Sequence, residues 1–417
     1  MLGALMGLNP TLALSANDMS ARQVPGAQHN LSPTDLPAPA VSAFINNPPL
    51  TINRPLRATL RVPDGFRAEP FAQGLDTPRY LAVSPAGDVF VSESRTGRVI
   101  ALRDSDGNGR ADRQAVIASG LSRPHGLTFH DGHLYIADTK GIWRLPFFSG
   151  SPRGGQPTRI TALGALGSAE GHWSRNVVFH PDGDRFFVSI GSRSNLAEEP
   201  SPRASIQVFD ADGGNRRSFA TGLRNPIGMA FYPGSDSLFA VVNERSGLGD
   251  GLVPDFLTEI NEAGFYGWPY AYIGTNPQPG FADRRPDMVA KSLLPDLLFD
   301  SQSTPIGLTF YTGTQFPVRY RGGAFVTLRG SSGLAQPVGY KLVFVPFNRG
   351  KPAGGYETFA SGWWALDDRS PSPMTTSQLV QPRVWGRPAG IAETPDGGLL
   401  VSDDTGGEIW LIRYVGG

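Results

Sequence analysis

Histidine and arginine side chains recur directly before short apolar segments of this chain. His172 comes shortly before the apolar run at 177–179, and Arg224, Asn225 and Arg387 immediately precede two further segments. A neutral imidazole can remove a proton near neutral pH, and a guanidinium binds a carboxylate through two parallel hydrogen bonds. The pattern therefore indicates proton abstraction beside a bound anion.

The elements that must position these residues form a repeat. In each of six segments a short apolar strand, a tight turn and a second strand follow one another, and most turns contain glycine, which supplies the positive φ of a tight hairpin. A period of about 45–50 residues built from hairpins is typical of a β-propeller with four strands per blade. The segments are 78–94, 124–139, 174–192, 226–244, 305–328 and 388–404.

The sequence thus predicts an all-β fold, a six-bladed β-propeller with four-stranded blades. The strand Phe66–Ala72 has no blade of its own, and we expect it to close the ring as the outer strand of the last blade. Two long spacings between repeats predict loop inserts at 269–303 and 348–386. Such excursions usually lie at one mouth of the channel.

Residues just before the inner strands of a propeller converge at one mouth. Five arginines and two histidines meet a single carboxylate there, so we expect a small polyanionic ligand to relieve their repulsion. Pairing of these arginines with carboxylates such as Glu244, Asp250, Asp403 and Asp404 is the open alternative. The converging residues are Asp76, Arg79, Arg123, His125, His172, Arg175, Arg224, Asn225, Ser303, Thr304 and Arg387.

Four stretches carry a resemblance to a known family. They are GHWSRNVVF at 171–179, GLRNPIG at 222–228, NERSG at 243–247 with GFYGWPY at 264–270, and GRP at 386–388. Over 61–417 the chain resembles the soluble glucose/sorbosone dehydrogenases that depend on pyrroloquinoline quinone (PQQ). The stretch VNERSGLGDGLVPDFLTEI looks closer to the L-sorbosone dehydrogenase-like branch than to the glucose enzymes.

The resemblance implies a role for each matching residue. His172 would be the catalytic base, and the backbone carbonyls of Ser246 and Gly247 would hold the Ca²⁺ beside the cofactor. The family's glutamine and second last-blade arginine are replaced here by Ile227 and Ala389, which predicts an altered grip on the cofactor. The residues implied to bind PQQ are Arg224, Asn225, Arg245, Arg329 and Arg387.

The chemistry implied is oxidation of a sugar or a sugar-derived aldehyde, with hydride transfer to PQQ. Amino acids supply no hydride acceptor, and no G-x-G-x-x-G motif after a strand indicates NAD. Expected partners are a sugar or aldehyde substrate and a respiratory acceptor, a quinone or a cytochrome. The alternatives are a calcium-dependent lactonase-like hydrolase, whose channel should be acidic, and a non-catalytic NHL-type binding propeller.

A second candidate calcium site lies in the loop after the third strand of the first repeat. Asp104, Asp106, Asn108 and Asp112 match the first, third, fifth and ninth positions of a calcium-binding loop. The twelfth position is Ala115 instead of glutamate, and no helices are expected on either side. A structural ion and a plain Asx turn both remain open.

Composition excludes several classes of function. With 37 Lys+Arg against 37 Asp+Glu, the chain lacks the basic excess of a nucleic-acid-binding protein. Without cysteine it has no disulfide, thiolate zinc site or thiol nucleophile.

The ends of the chain predict export and a separate arm. The apolar start predicts a signal peptide over 1–16 and a periplasmic or secreted location, although no basic residue precedes Arg22. A mis-assigned start codon or a disordered tail is the alternative. Residues 17–60, with seven prolines, predict an extended arm before the dehydrogenase domain at 61–417. No later stretch reaches the ~20 apolar residues of a membrane helix, so no stable membrane insertion is expected.

Overall fold

A computed structural model of the protein describes residues 16–39, 45–147, 155–365 and 380–416. In these ranges six antiparallel sheets of at least four strands are arranged around a channel, with two short α-helices, Ala16–Ala21 and Pro286–Lys291. The predicted six-bladed β-propeller is confirmed. All but the last residue of the predicted signal peptide lies outside the described residues.

Blades 1 to 3 follow the repeat in order, each from its inner to its outer strand. Blade 1 contains Pro78–Val83, Val89–Glu93, Arg98–Arg103 and Arg113–Ala118; blade 2 contains Leu127–His130, His133–Asp138, Gly141–Pro146 and Thr158–Arg159; blade 3 contains Arg175–Phe179, Arg185–Ile190, Ser205–Asp210 and Arg217–Thr221.

Blades 4 to 6 include the two long spacings. The predicted inserts are not loops throughout, because each contains the outer strand of its blade, Leu297–Ser301 and Tyr356–Ala360. Blade 4 contains Pro226–Phe231, Leu238–Val242, Pro254–Glu259 and Leu297–Ser301; blade 5 contains Pro305–Phe310, Ala324–Leu328, Lys341–Val345 and Tyr356–Ala360; blade 6 contains Pro388–Glu393, Leu399–Asp403, Glu408–Tyr414 and Phe66–Ala72.

Short elements decorate the blades. The 3₁₀ turns and two-residue strands are Pro33–Asp35, Ala282–Arg284, Val318–Tyr320, Gln28–His29, Leu50–Thr51, Ala271–Tyr272, Asn276–Pro277, Phe347–Asn348, Lys351–Pro352 and Arg383–Val384. None of the helices in the described ranges is long and apolar enough to span a bilayer.

Hydroxyl groups on the second strands join neighbouring blades at the channel. Ser402 accepts a hydrogen bond from Gly390 N of its own blade and donates one to Arg79 O of blade 1. Ser92, Ser189 and Thr327 make the equivalent pair of contacts elsewhere in the ring. The strands approach so closely that a Cβ on Gly390 would lie 2.3 Å from Arg79 O. This close approach accounts for the glycine found two residues after proline in several repeats.

The first chain segment packs on blades 5 and 6. Gln28–His29 pairs with the outer strand of blade 5, and Leu50–Thr51 pairs with Arg383–Val384. The buried Lys341 of blade 5 donates to Arg22 O and to Thr358 Oγ1. The described part of 17–60 therefore forms part of the folded body.

The ring is closed by two ends of the chain, as predicted. Phe66–Ala72 pairs antiparallel with Glu408–Tyr414. The ring of Phe66 is 8% exposed and makes edge contacts with Phe316, Tyr320 and Phe359. The closing strand thus contributes directly to the core between blades 5 and 6.

We predict that Phe66→Ala lowers the free energy of unfolding by about 3–5 kcal/mol, the usual cost of removing a buried aromatic ring. Leu56→Ala is the matched control, because that side chain is fully exposed, and it should change stability by less than about 0.5 kcal/mol. Denaturant titration of both variants measures the difference. Equal effects would mean that Phe66 does not stabilise the closed propeller.

Candidate functional site

The predicted mouth residues start the inner strands at one end of the channel, and most of them are buried. Arg79, His125, Arg175, Arg224 and Arg387 are each less than 10% exposed. Arg123 is exposed, and Asp76 pairs with Arg95 at the surface. Buried carboxylates lie among the arginines, so the pairing alternative is realised at Asp404, whereas the polyanionic ligand stays a prediction.

On the side formed by blades 5, 6 and 1, several guanidinium groups share one carboxylate. Asp404 Oδ2 accepts hydrogen bonds from Arg79 Nη1 and Arg329 Nε. Arg387 donates to the carbonyls of Arg329, at 3.0 Å, and Gly330, at 2.5 Å. Arg329 and Arg79 hold the pKa of Asp404 well below its usual range against the opposing effect of burial.

Positive charge is therefore in excess on this side. Burial and the neighbouring Arg329 charge lower the pKa of Arg387 to about 9. The pKa of Arg79 is lowered by burial, against the attraction of Asp404. Its buried Nε has no hydrogen-bond partner among the described residues. A group of this kind gains stability when an anion binds.

On the side formed by blades 3 and 4, Arg224 organises the backbone. Its guanidinium donates to Asn195 O and Oδ1, both at 3.1 Å, and to Glu244 O at 2.7 Å. The next residue, Asn225, is 7% exposed, and its Oδ1 lacks a partner in the described chain. Asn225 therefore keeps a free acceptor at the mouth, whereas most of the donors of Arg224 are already used.

His172 occupies the loop that leads into blade 3. Two arginines fix this loop through its carbonyls: Arg175 donates to His172 O and Ser168 O, and Arg203 donates to Ser168 O and Glu170 O. The ring nitrogens of His172 bond to no other side chain in the described ranges. The imidazole is thus held in place by its backbone while its nitrogens stay available.

Burial and the charges of Arg224, Arg203 and Arg175 lower the pKa of His172 to about 3. The ring is consequently neutral at pH 7, as a proton acceptor must be.

Buried carboxylates near the mouth bind backbone amides. Asp255 accepts from Glu244 N and Thr304 N, both at 2.8 Å, and Asp403 accepts from Arg387 N. Burial raises the pKa of Glu244, Asp255 and Asp403 to about 7 in each case. These side chains tie the loops of blades 4 and 6 to the inner strands.

The predicted calcium carbonyl is already engaged. Ser246 O accepts hydrogen bonds from Arg245 Nε and Nη2, at 3.0 and 2.9 Å, and from Asn195 Nδ2 at 3.1 Å. An oxygen that faces a guanidinium does not fit as a ligand of Ca²⁺, since both cations would compete for it. The arrangement around Ser246 O therefore does not fit calcium, and a role for the Gly247 carbonyl stays a prediction.

The candidate loop near blade 1 forms local turns. Asp104 accepts from Asn108 N and Gly109 N, and Asp112 accepts from Ser105 N. Within the described ranges, the one group of three His, Asp or Glu side chains within 4.8 Å of one another is His180, Asp182 and Asp184, elsewhere on blade 3. Calcium at Asp104, Asp106, Asn108 and Asp112 stays a prediction.

Two residues of the site had no role in the sequence analysis. Asn195 links Arg224, Ser246 and Trp268, whose Nε1 donates to Asn195 O at 3.1 Å. Trp173 lies beside His172, with the guanidinium carbons of Arg79 and Arg123 at 5.3 and 5.8 Å from its ring centre. Trp173 lies in the quoted stretch 171–179 and Asn195 lies outside the quoted stretches, and nothing in the sequence specified the partners of either.

We predict that His172 remains neutral down to about pH 4 in the ligand-free protein, because its pKa is about 3 and not the ~6.5 of a free histidine. Carbon-13 NMR of labelled histidine measures the titration, with His172→Gln assigning the signal. Arg203→Met should raise the pKa, since one repelling charge is removed. A His172 midpoint near pH 6.5 would contradict the described burial and charge.

Comparison with known proteins gives the family. A family model described as TrAA12-like matches residues 60–252 and 276–415. An uncharacterized protein of Borreliella burgdorferi is 25% identical over 371 residues, covering 86% of this chain and 92% of that protein. The pyrroloquinoline quinone-dependent pyranose dehydrogenase of Coprinopsis cinerea is 26% identical over 427 residues, covering 87% of this chain. This chain spans 55% of that enzyme's length.

Solved structures share the fold. The holo PQQ domain of the Coprinopsis cinerea pyranose dehydrogenase has a TM-score of 0.70 at 20% identity, over 88% of this chain and 99% of that one. The PQQ-bound aldose sugar dehydrogenase of Streptomyces coelicolor has a TM-score of 0.57 at 18% identity, over 86% and 99%. The resemblance to PQQ-dependent sugar dehydrogenases is confirmed as a family relationship, while the sorbosone branch stays a prediction. The chain belongs to the TrAA12-like family.

Proposed function

We propose that this protein is a PQQ-dependent dehydrogenase of sugars or sugar-derived aldehydes. The observation that carries the proposal is the excess positive charge of Arg79, Arg329 and Arg387 around the single carboxylate of Asp404. PQQ bears several carboxylates, and guanidinium groups are suited to bind them. The names of the Coprinopsis and Streptomyces relatives agree with this cofactor.

The residues present fit such a cofactor. Arg79 Nε and Asn225 Oδ1 are buried polar atoms without partners among the described residues. Arg329 uses its Nε for Asp404 and keeps 25% of its side chain exposed. These groups, with Arg387, would hold the carboxylates. The resemblance also assigns Arg224 and Arg245 to PQQ. In this proposal their main role is to hold the loops at 195 and 246 in place through hydrogen bonds.

When bound, PQQ supplies the hydride acceptor that the side chains lack. His172 takes the proton of the sugar hydroxyl, because its ring is neutral and its nitrogens are available. Arg175 and Arg203 keep the loop of His172 in one position through four carbonyl contacts. Trp173 lies at the same mouth, with the guanidinium of Arg79 5.3 Å from its ring centre.

Calcium enters this proposal only as a prediction from the resemblance. It would require the guanidinium of Arg245 and the amide of Asn195 to leave Ser246 O. The respiratory acceptor and the periplasmic or secreted location likewise belong to the proposal.

The hydrolase alternative is less well supported. The structure adds buried carboxylates to the mouth, which a calcium-dependent lactonase would need. However, Asp404 is bound by two arginines, and Asp255 and Asp403 accept backbone amides. A non-catalytic propeller gives no reason for a neutral, unbonded His172 beside so many arginines.

We predict that the protein purified without cofactor reduces an artificial dye with an aldose only after PQQ is added. Calorimetric titration of PQQ into wild type and Arg329→Met supplies a readout that does not depend on turnover. The variant should bind about tenfold or more weakly, as expected for the loss of a charged hydrogen bond. Parallel titrations with Ca²⁺ and with a chelator test the calcium prediction. Absence of PQQ binding to wild type in both conditions would refute the proposed function.

We predict that His172→Gln lowers kcat by about 10²–10⁴-fold, the usual effect of removing a general base. PQQ affinity should change little, because a neutral imidazole contributes little to holding an anion. His125→Gln is the matched control, since His125 is also buried and its ring nitrogens lack partners in the described chain. A larger loss in His125→Gln than in His172→Gln would move the base to His125.

A further inference from the structure

A cleft lies on the outer flank of the candidate site, where the outer strand of blade 3 meets the chain segment around 265–270. It encloses about 190 Å³, less than the roughly 300–1,000 Å³ of sites for drug-sized ligands. The volume suits one small ring. Its lining includes Glu198, Arg203, Ser218, Phe265, Trp268 and Tyr270.

The floor of the cleft contains a buried donor without a hydrogen-bond partner, next to a carboxylate. Arg203 is 9% exposed, and its Nε is buried without a hydrogen-bond partner among the described residues. The nearest carboxylate oxygen, Glu199 Oε2, lies 3.7 Å from that nitrogen, too far for a hydrogen bond. Glu199 already accepts from the backbone amides of Arg193 and Ser194, so the atom left for a ligand hydroxyl is the donor Arg203 Nε.

The walls of the cleft are aromatic and hydroxylated. Phe265 and Trp268 are nearly buried, and the half-buried Tyr270 stands at the opening beside Arg285. Ser218 on the exposed strand of blade 3 contributes a hydroxyl that already accepts from Gln207. Apolar ring faces beside hydroxyl, carboxylate and guanidinium groups match the alternating faces and hydroxyls of a sugar ring.

The charge of the cleft favours a neutral ligand. Each acid of the cleft faces a cation, Glu198 with Arg284 at 3.8 Å and Glu199 with Arg203 at 3.7 Å. The charges are therefore balanced, and neither an anion nor a cation is favoured. A polyhydroxy compound without charge remains the best match.

The cleft also shares its walls with the candidate site. Trp268 Nε1 and Arg224 Nε both donate to Asn195 O. Arg203 donates to Ser168 O and Glu170 O in the loop of His172. A ligand that fixes Arg203 and Trp268 therefore also stabilises the loops around the base.

We propose that this cleft binds a neutral pyranose unit as a second saccharide site, next to the one in which His172 acts. That the ligand is a sugar related to the substrate rests on the proposed function, whereas binding itself does not. One hydroxyl accepts a hydrogen bond from Arg203 Nε, and the ring lies against Tyr270.

The test uses the full chain without PQQ, titrated calorimetrically with cellobiose, with glucose and with glycerol as a small polyol. We expect saturable binding of cellobiose and glucose but not of glycerol. Tyr270→Ala should raise the Kd about tenfold, and Ser218→Trp, which fills the opening, should abolish binding. Gln114→Trp, at an exposed position on the outer strand of blade 1, is the matched control and should bind as wild type does.

Failure of this proposal and failure of the proposed function give different results. Equal Kd values in wild type, Tyr270→Ala and Ser218→Trp, or no sugar binding by wild type, would overturn the cleft site even if PQQ restores activity. Sugar binding that depends on Tyr270 would support the cleft even if PQQ does not bind. If both hold, Ser218→Trp should lower the ratio of kcat/KM for cellobiose to that for glucose.

Discussion

Closure of the ring at the channel is the constraint on which the rest of this structure depends. Hydroxyl groups of Ser92, Ser189, Thr327 and Ser402 each join an inner strand of one blade to the inner strand of the next. A buried backbone group must find a partner, and these bridges supply partners where the strands diverge. These bridges join blades 1 and 2, 3 and 4, 5 and 6, and 6 and 1. They help to hold the inner strands side by side, so that the residues that precede those strands meet at a single mouth.

Several arginines at this mouth donate hydrogen bonds to backbone carbonyls and are not reserved for a ligand. Arg175, Arg203 and Arg224 each donate to carbonyl oxygens of loops that carry or surround His172. Buried carboxylates do the converse, since Asp255 and Asp403 accept amide hydrogens. Loops with unpaired backbone groups can therefore be buried around a polar channel. What remains unbalanced is the positive charge near Asp404.

The fold could be predicted from the sequence because the repeat expresses local rules: turn glycines, alternating strands and a closing strand at Phe66–Ala72. Convergence of His172 with the arginines followed from that register. The exact pairs could not be predicted. Asp404 was one of four candidate carboxylates, and it meets Arg79 and Arg329 across 325 and 75 residues of sequence. Asn195 gains its role only from loop geometry. The two inserts were expected to be loops, because their outer strands lack the repeat's turn signals.

The electrostatics of the mouth link anion binding to the strength of the base. An imidazole with a pKa of about 3 is neutral at pH 7 but accepts a proton poorly, and a general base works best when its pKa is near the working pH. Burial and the charges of Arg224, Arg203 and Arg175 cause the low value. Negative charge brought into the same mouth would offset those charges and raise the pKa of His172. Arg224, Arg203 and Arg175, which are not the arginines placed against the cofactor, thus keep the base weak until such a charge is present.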